Sequence, residues 1–134
     1  MLIEDEPFYM QITIEVMECA GFTTEVVDTV EHVPARLDEG DYDAIVLDIM
    51  LDCASDMFTR AETRSGFLTG CRVYERYIEP RLPNVPIVVV SALNPRTPLG
   101  EEGLRFFRER NVPIFNKPFD DEKLASKLAA LTNA

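Results

Sequence analysis

Histidine and cysteine are scarce. The chain has one histidine, His32, and three cysteines, Cys19, Cys53 and Cys71, none in C-x-x-C spacing. A soft-metal centre built on those ligands is not expected, and no disulfide framework is suggested; reduced thiols in a cytoplasmic protein are expected. Positive charge is short as well. The 13 Lys and Arg face 24 Asp and Glu, for a net charge of −11. Phosphate-backbone contacts need clustered cations, so nucleic acid is not an expected partner, and neither is an anionic membrane surface. Arg105, Arg108 and Arg110 form one local basic patch, read as a solvated helix face. No apolar run approaches the roughly 20 residues of a membrane span, and the opening residues lack the basic-then-apolar pattern of a leader.

What the 134 residues do contain is a globular profile, 46% hydrophobic and 28% charged. It fits one domain over residues 1–134. Short apolar runs alternate with helical patterns. Leu2-Ile3 opens as a strand, and Pro7 suits the first turn of a helix. Phe8, Ile12, Val16 and Cys19 then recur at helical spacing, with Gly21 as the stop. Phe22 to Val27 reads as a second strand, and a helix through Val33 and Leu37 ends at Gly40. Asp43 to Leu47 reads as a buried third strand. A helix over Leu68 to Ile78 is closed by Pro80 and Pro83. Pro86 to Val90, Leu99 to Arg110 and Val112 to Asn116 continue the alternation. A last helix is capped by Asp120 and carries Leu124, Leu128 and Leu131 as its apolar stripe. Five strands alternating with five helices predict an α/β, doubly wound parallel sheet. Asp52 to Ser65 is the irregular segment, long against the roughly 2–6 residues of an ordinary βα loop. Within it, Met57 to Arg64 is either a short extra helix or a mobile stretch.

The strand ends carry the chemistry. The first apolar run closes on Glu4-Asp5-Glu6, the third on Asp48, the fourth on Ser91, and the fifth is followed by Lys117-Pro118. In a parallel sheet these ends share one edge, where open α/β sheets bind ligands. Singly, each residue has an ordinary explanation: Asp48 a turn acid, Ser91 a strand-ending hydroxyl, Lys117 a solvated lysine, Glu6 a helix-dipole acid. Together they offer a carboxylate nucleophile, acids for a hard cation, and donors for phosphoryl oxygens. Two carboxylates ~4 Å apart repel by about 4 kcal/mol at an effective dielectric near 20, so gathered acids favour a bound Mg²⁺.

The segments Leu-Ile-Glu-Asp-Glu-Pro, Ile-Val-Leu-Asp-Ile-Met-Leu, Val-Val-Val-Ser-Ala and Phe-Asn-Lys-Pro-Phe resemble, in order, the motifs of the receiver domain of two-component response regulators. The resemblance implies a flavodoxin-like (CheY-like) sheet of order 2-1-3-4-5, the order cited for CheY itself among doubly wound folds. It implies Asp48 as phosphoacceptor, and Glu4, Asp5, Asp48 and the Met50 backbone carbonyl as Mg²⁺ ligands. It also implies Ser91 as switch hydroxyl, Lys117 as phosphoryl-binding lysine, Phe115 as aromatic switch, and a cis Lys117–Pro118 bond. Expected partners are a sensor histidine kinase or phosphotransfer protein, and a downstream protein on the face of the fourth helix, fifth strand and fifth helix. Of Phe106 and Phe107, one is expected to be core and the other partly buried, with a partner anchor as the alternative reading. Met50 and Leu93, two residues beyond Asp48 and Ser91, leave no polar group to orient water, which predicts a long-lived aspartyl phosphate.

The chain departs from the pattern in several places. The first strand reads as clipped, with residues expected upstream, so the chain is either a stand-alone regulator or a piece of a longer one. Asp52 stands where such domains commonly have proline, and Gly66 falls about ten residues later than the matching glycine, an insertion against short loop norms. Pro95 and Pro98 stiffen the entry to the fourth helix. Three rival readings remain. A Mg²⁺-dependent phosphohydrolase of the haloacid dehalogenase type would need an acid at Met50, so no enzyme is expected. A flavin or nucleotide module would need small polar donors where Glu4, Asp5 and Glu6 stand. A receiver-like interaction module that takes no phosphate would share the fold.

Overall fold

The computed structural model describes residues 1–52 and 56–133. Cys53 and the start of the insertion, residues 53–55, lie outside the described residues, as does Ala134. Five strands, β1 (Leu2–Ile3), β2 (Val26–Val27), β3 (Ile45–Asp48), β4 (Ile87–Ser91) and β5 (Ile114–Asn116), form one sheet of order β2-β1-β3-β4-β5. Every pairing is parallel. This is the order that the receiver-domain resemblance implies.

Period-2 alternation divides each strand between two cores. Leu2, Val46, Val88 and Val90 lie in one cluster with Met10, Met17, Leu124 and Leu128. Ile3, Ile45, Leu47, Ile87 and Val89 lie in the other, with Val33, Leu37, Val73, Ile78, Leu104 and Phe107. Burial on both faces is what the near-continuous apolar runs of β3 and β4 require.

The helical segments are α1 (Gln11–Cys19), α2 (Val33–Glu39), α3 (Arg60–Thr63), α4 (Thr69–Val73), α5 (Glu79–Arg81), α6 (Pro98–Arg108) and α7 (Asp121–Thr132). A 3₁₀ turn, Pro7–Met10, leads into α1, and another, Val30–His32, leads into α2. Asp120 caps α7, its side chain accepting the N–H groups of Glu122 and Lys123. Gly21 turns with φ +99°, as its place after α1 requires.

Three expectations change. The buried side of the 3₁₀ turn and α1 is Met10, Thr13 and Met17, whereas Phe8 and Ile12 are 71% and 68% exposed and Cys19 faces solvent. Two apolar stripes were available at helical spacing, and packing against α7 selected one; the Thr13 hydroxyl donates to the Asp121 carboxylate across that contact. The second strand is Val26–Val27 rather than Phe22–Val27, because its partner β1 offers only two residues to pair. The third long helix does not stop at Ile78. Pro80 removes one i−4 bond, and a wide π turn over Tyr74–Ile78 carries the chain past it to Arg81.

The described part of the insertion is packed. Thr59 and Glu62 form a reciprocal capping box that starts α3. Phe58 is buried edge-on to Tyr77, under the Arg76 guanidinium, which also pairs with Glu62. Gly66 turns the chain at φ +93°, and the Thr69 hydroxyl donates to the Leu51 carbonyl at 2.9 Å.

Candidate functional site

Leu2 and Val46 point into the same core, and two residues further along each strand come Glu4 and Asp48. The ladder continues past β1, with Glu4 N–H donating to Val27 O at 3.1 Å, so the pleat is kept and both acids emerge on that face. Lys117 is held in place by its own N–H, which donates to Ser91 O at 2.7 Å. The bond that follows it, Lys117–Pro118, is cis.

The three side chains meet. Lys117 Nζ donates to Asp48 Oδ2 at 2.8 Å and to Glu4 Oε2 at 3.2 Å. Glu4 and Asp48 are each 3% exposed. Asp5, half-buried, completes a set in which one carboxylate oxygen from each acid lies within 4.8 Å of the others. Asp48 Oδ1 accepts the Met50 N–H at 2.9 Å, and Asp5 Oδ2 accepts the Asp52 N–H at 2.7 Å.

One ammonium among three carboxylates leaves a surplus of negative charge in a largely dry site. Burial, then the neighbouring Asp48 carboxylate, raises the Glu4 pKa to about 8. For Lys117 burial pulls downward, but the bonds and charges of Asp48 and Glu4 outweigh it and the ammonium is raised above its ordinary value. Oxygen donors alone, with excess negative charge, fit a hard divalent cation such as Mg²⁺.

Other expected site residues lie near but outside this bonded group. Ser91 is fully buried and follows Val90, the register partner of Asp48; its Oγ accepts the Leu93 N–H at 2.9 Å. Phe115 is half-buried and edge-on to Phe119 at 6.1 Å. Glu6 is exposed, its N–H donating to Glu4 Oε1. Phe107 is core, while Phe106 is partly covered and carries the Arg110 guanidinium 3.6 Å from its ring centroid. Arg105 and Arg108 pair with Glu109 and Glu101, a solvated face as expected.

Two contributors carry no sequence signal. The Asp52 amide matters only because the chain returns beside Asp5. Gly70 sits where a Cβ would come 2.4 Å from Asp48 O and 2.6 Å from Ile49 Cα, so α4 abuts the acceptor strand only because the residue is glycine.

Beside Lys117 lies a groove of about 410 Å³, lined by Tyr9, Met10, Ile12, Thr13, Pro118, Phe119 and Asp121. Phe8, Tyr9 and Ile12 are the most exposed large apolar side chains among the described residues.

The fold is that of CheY-like receiver domains. The CheY-like response regulator receiver domain protein of Methanospirillum hungatei JF-1 superposes with a TM-score of 0.73 at 16% identity, over 98% of this chain and 90% of that one. The receiver domain of the Francisella response regulator 1452 gives 0.67 at 19% identity, over 98% and 93%. The receiver domain of NtrX from Brucella abortus gives 0.70 at 16%, over 99% and 97%. In sequence, 51 residues are 39% identical to the transcriptional regulatory protein TcrA of Mycobacterium tuberculosis, covering 38% of this chain and 20% of that protein. The match thus spans a fifth of that relative's length. No family model matches the chain. No helix among the described residues is long and apolar enough to cross a membrane.

Proposed function

We propose that the chain is the phosphoacceptor receiver of a two-component response regulator, with Asp48 the residue that takes the phosphoryl group. The observation that carries this reading is the Asp48 carboxylate held 2.8 Å from Lys117 Nζ, with the Glu4 and Asp5 carboxylates beside it, at the carboxyl edge of a β2-β1-β3-β4-β5 sheet. A sensor histidine kinase or phosphotransfer protein is the donor, and acetyl phosphate a small substitute.

An Asp48 oxygen attacks phosphorus in line. The new O–P bond forms as the bond to the donor nitrogen or oxygen breaks, and the leaving group keeps the electron pair. Lys117 holds a phosphoryl oxygen as a point charge, and the Met50 N–H orients the carboxylate. Glu4, Asp5, Asp48 and the Met50 carbonyl would hold Mg²⁺, which would supply positive charge against the phosphoryl oxygens. Ser91 turns its hydroxyl from the Leu93 amide toward the new anion, and Phe115 repacks against Phe119. The altered face of α6, β5 and α7 meets the downstream protein. Such a module is a signalling switch with no turnover of its own.

Intact-mass measurement with acetyl phosphate, with and without Mg²⁺, tests this on wild type and Asp48→Ala. One phosphoryl group should add to wild type in Mg²⁺ alone. An equal gain in Asp48→Ala, or none in either protein, sinks the assignment.

A further inference from the structure

We infer that the backbone amide of Asp52 positions Asp5 as a cation ligand, a role that a proline at this place cannot fill. The inference rests on the metal-binding part of the function proposed above. Asp52 N–H donates to Asp5 Oδ2 at 2.7 Å, across 47 residues of sequence. Asp5 is the most loosely held of the three acids. Glu4 and Asp48 are buried and tied to Lys117, whereas Asp5 is half-buried and no lysine or arginine pairs with it among the described residues. Among the described residues its one hydrogen bond is to this amide. Held at Oδ2, the carboxylate is restrained in its rotation and can turn its other oxygen to a cation.

The donor is the peptide, not the side chain; the Asp52 side chain is exposed. Bonds from such supporting groups orient metal ligands, and losing one typically weakens metal affinity about 10- to 100-fold. Proline has no N–H to give. The amide is itself placed by the tie between Leu51 O and the Thr69 hydroxyl, and by the turn at Gly66, whose Cβ position lies 3.3 Å from Leu51 O. The chain at the mouth of the insertion therefore serves the cation site directly.

Isothermal titration with MgCl₂ of wild type, Asp52→Ala and Asp52→Pro separates amide from side chain. Asp52→Ala keeps the N–H and should hold the wild-type Kd within about twofold, while Asp52→Pro should lose about 10- to 100-fold. Equal Kd values for all three, or equal weakening in both variants, overturn the amide's role. Wild type that binds no Mg²⁺ removes the proposed function and this inference together. Wild type that binds Mg²⁺ but takes no phosphoryl group on Asp48 removes the function and leaves the amide's role standing. Should Asp52→Pro fail to fold, the Asp52 amide proton of wild type decides the matter. It should be protected from exchange and shift when Mg²⁺ saturates the site; a solvent-like, unmoved proton overturns the inference.

Discussion

Lys117 Nζ lies 2.8 Å from Asp48 Oδ2 and 3.2 Å from Glu4 Oε2, one ammonium shared by two buried carboxylates that belong to different strands. Removing it leaves Asp48 and Glu4 without their cation and an arriving phosphoryl group without its fixed donor. Lys117→Ala should slow labelling of Asp48 by acetyl phosphate about 10- to 100-fold, the worth of one hydrogen bond to a charged group. Lys117→Arg should not restore it, since a planar fork cannot replace a point charge bonded to two separate carboxylates. Labelling rates followed by mass spectrometry check both; a wild-type rate in Lys117→Ala counts against the site.

Glu4 links the site to pH. Its pKa in the fold is about 8 against an ordinary 4.5, so the folded state prefers the protonated acid. That preference stabilises the metal-free protein fully below the ordinary value and is lost as pH rises through about 8. Metal-free thermal stability should therefore fall across that window, and the fall should be smaller with Mg²⁺ present. Because the cation needs the carboxylate, apparent Mg²⁺ affinity should rise by about tenfold per pH unit until Glu4 is ionised. Thermal melts and titrations between about pH 6 and 9 measure this; a flat affinity contradicts it.

In the proposed receiver Met50 and Leu93 would flank the water's approach to Asp48 and offer it no polar group; Met50 is half-buried and Leu93 is buried at 6% exposure. Met50→Asn should shorten the aspartyl phosphate lifetime on the order of tenfold, the worth of one hydrogen bond to the attacking water. Decay of the phosphorylated mass gives the lifetimes, and equal values refute the idea.

Ile12 and Tyr9 line the groove beside Lys117 and are 68% and 77% exposed. For a protein donor that docks on this exposed apolar face, Ile12→Asp should impair phosphotransfer while leaving labelling by acetyl phosphate near wild type. Parallel assays with the two donors test it; equal impairment places Ile12 in the fold or the site instead.

Gly70→Ala would push a methyl group against Asp48 O and Ile49 Cα, both backbone atoms. A destabilisation of about 1–3 kcal/mol is expected from the overpacking, with slower labelling of Asp48. Chemical denaturation and mass labelling read the two effects, and an unchanged midpoint would show that α4 yields.

Much of this was legible from local pattern. β3 and β4 read as strands because Ile45-Val46-Leu47 and Ile87-Val88-Val89-Val90 are short and bounded by turn residues, and Asp120 announced α7 as a cap. The sequence does not separate the buried stripe of the first helix from the exposed one, because Phe8 and Ile12 are as well spaced as Met10, Thr13 and Met17; only α7 on the other side of the contact separates them. The continuation of helix through Pro80 was hidden for a similar reason, since a π turn leaves no compositional mark. Glu4, Asp5, Asp48 and Lys117 could be named from strand ends alone, yet nothing in their order showed that Ser91 would rest on the Leu93 amide or that Asp52 would reach Asp5.

The sequence by itself determined the alternation of strand and helix, the parallel sheet, and the identity of the acids and the lysine that end its strands. These follow from side-chain period and backbone hydrogen bonding, which act over a few residues. Tertiary structure decided which carboxylates the ammonium bridges, how far burial lifts Glu4, and which amide steadies Asp5. Distance and desolvation are properties of packed neighbours, and those neighbours come from parts of the chain up to 113 residues apart.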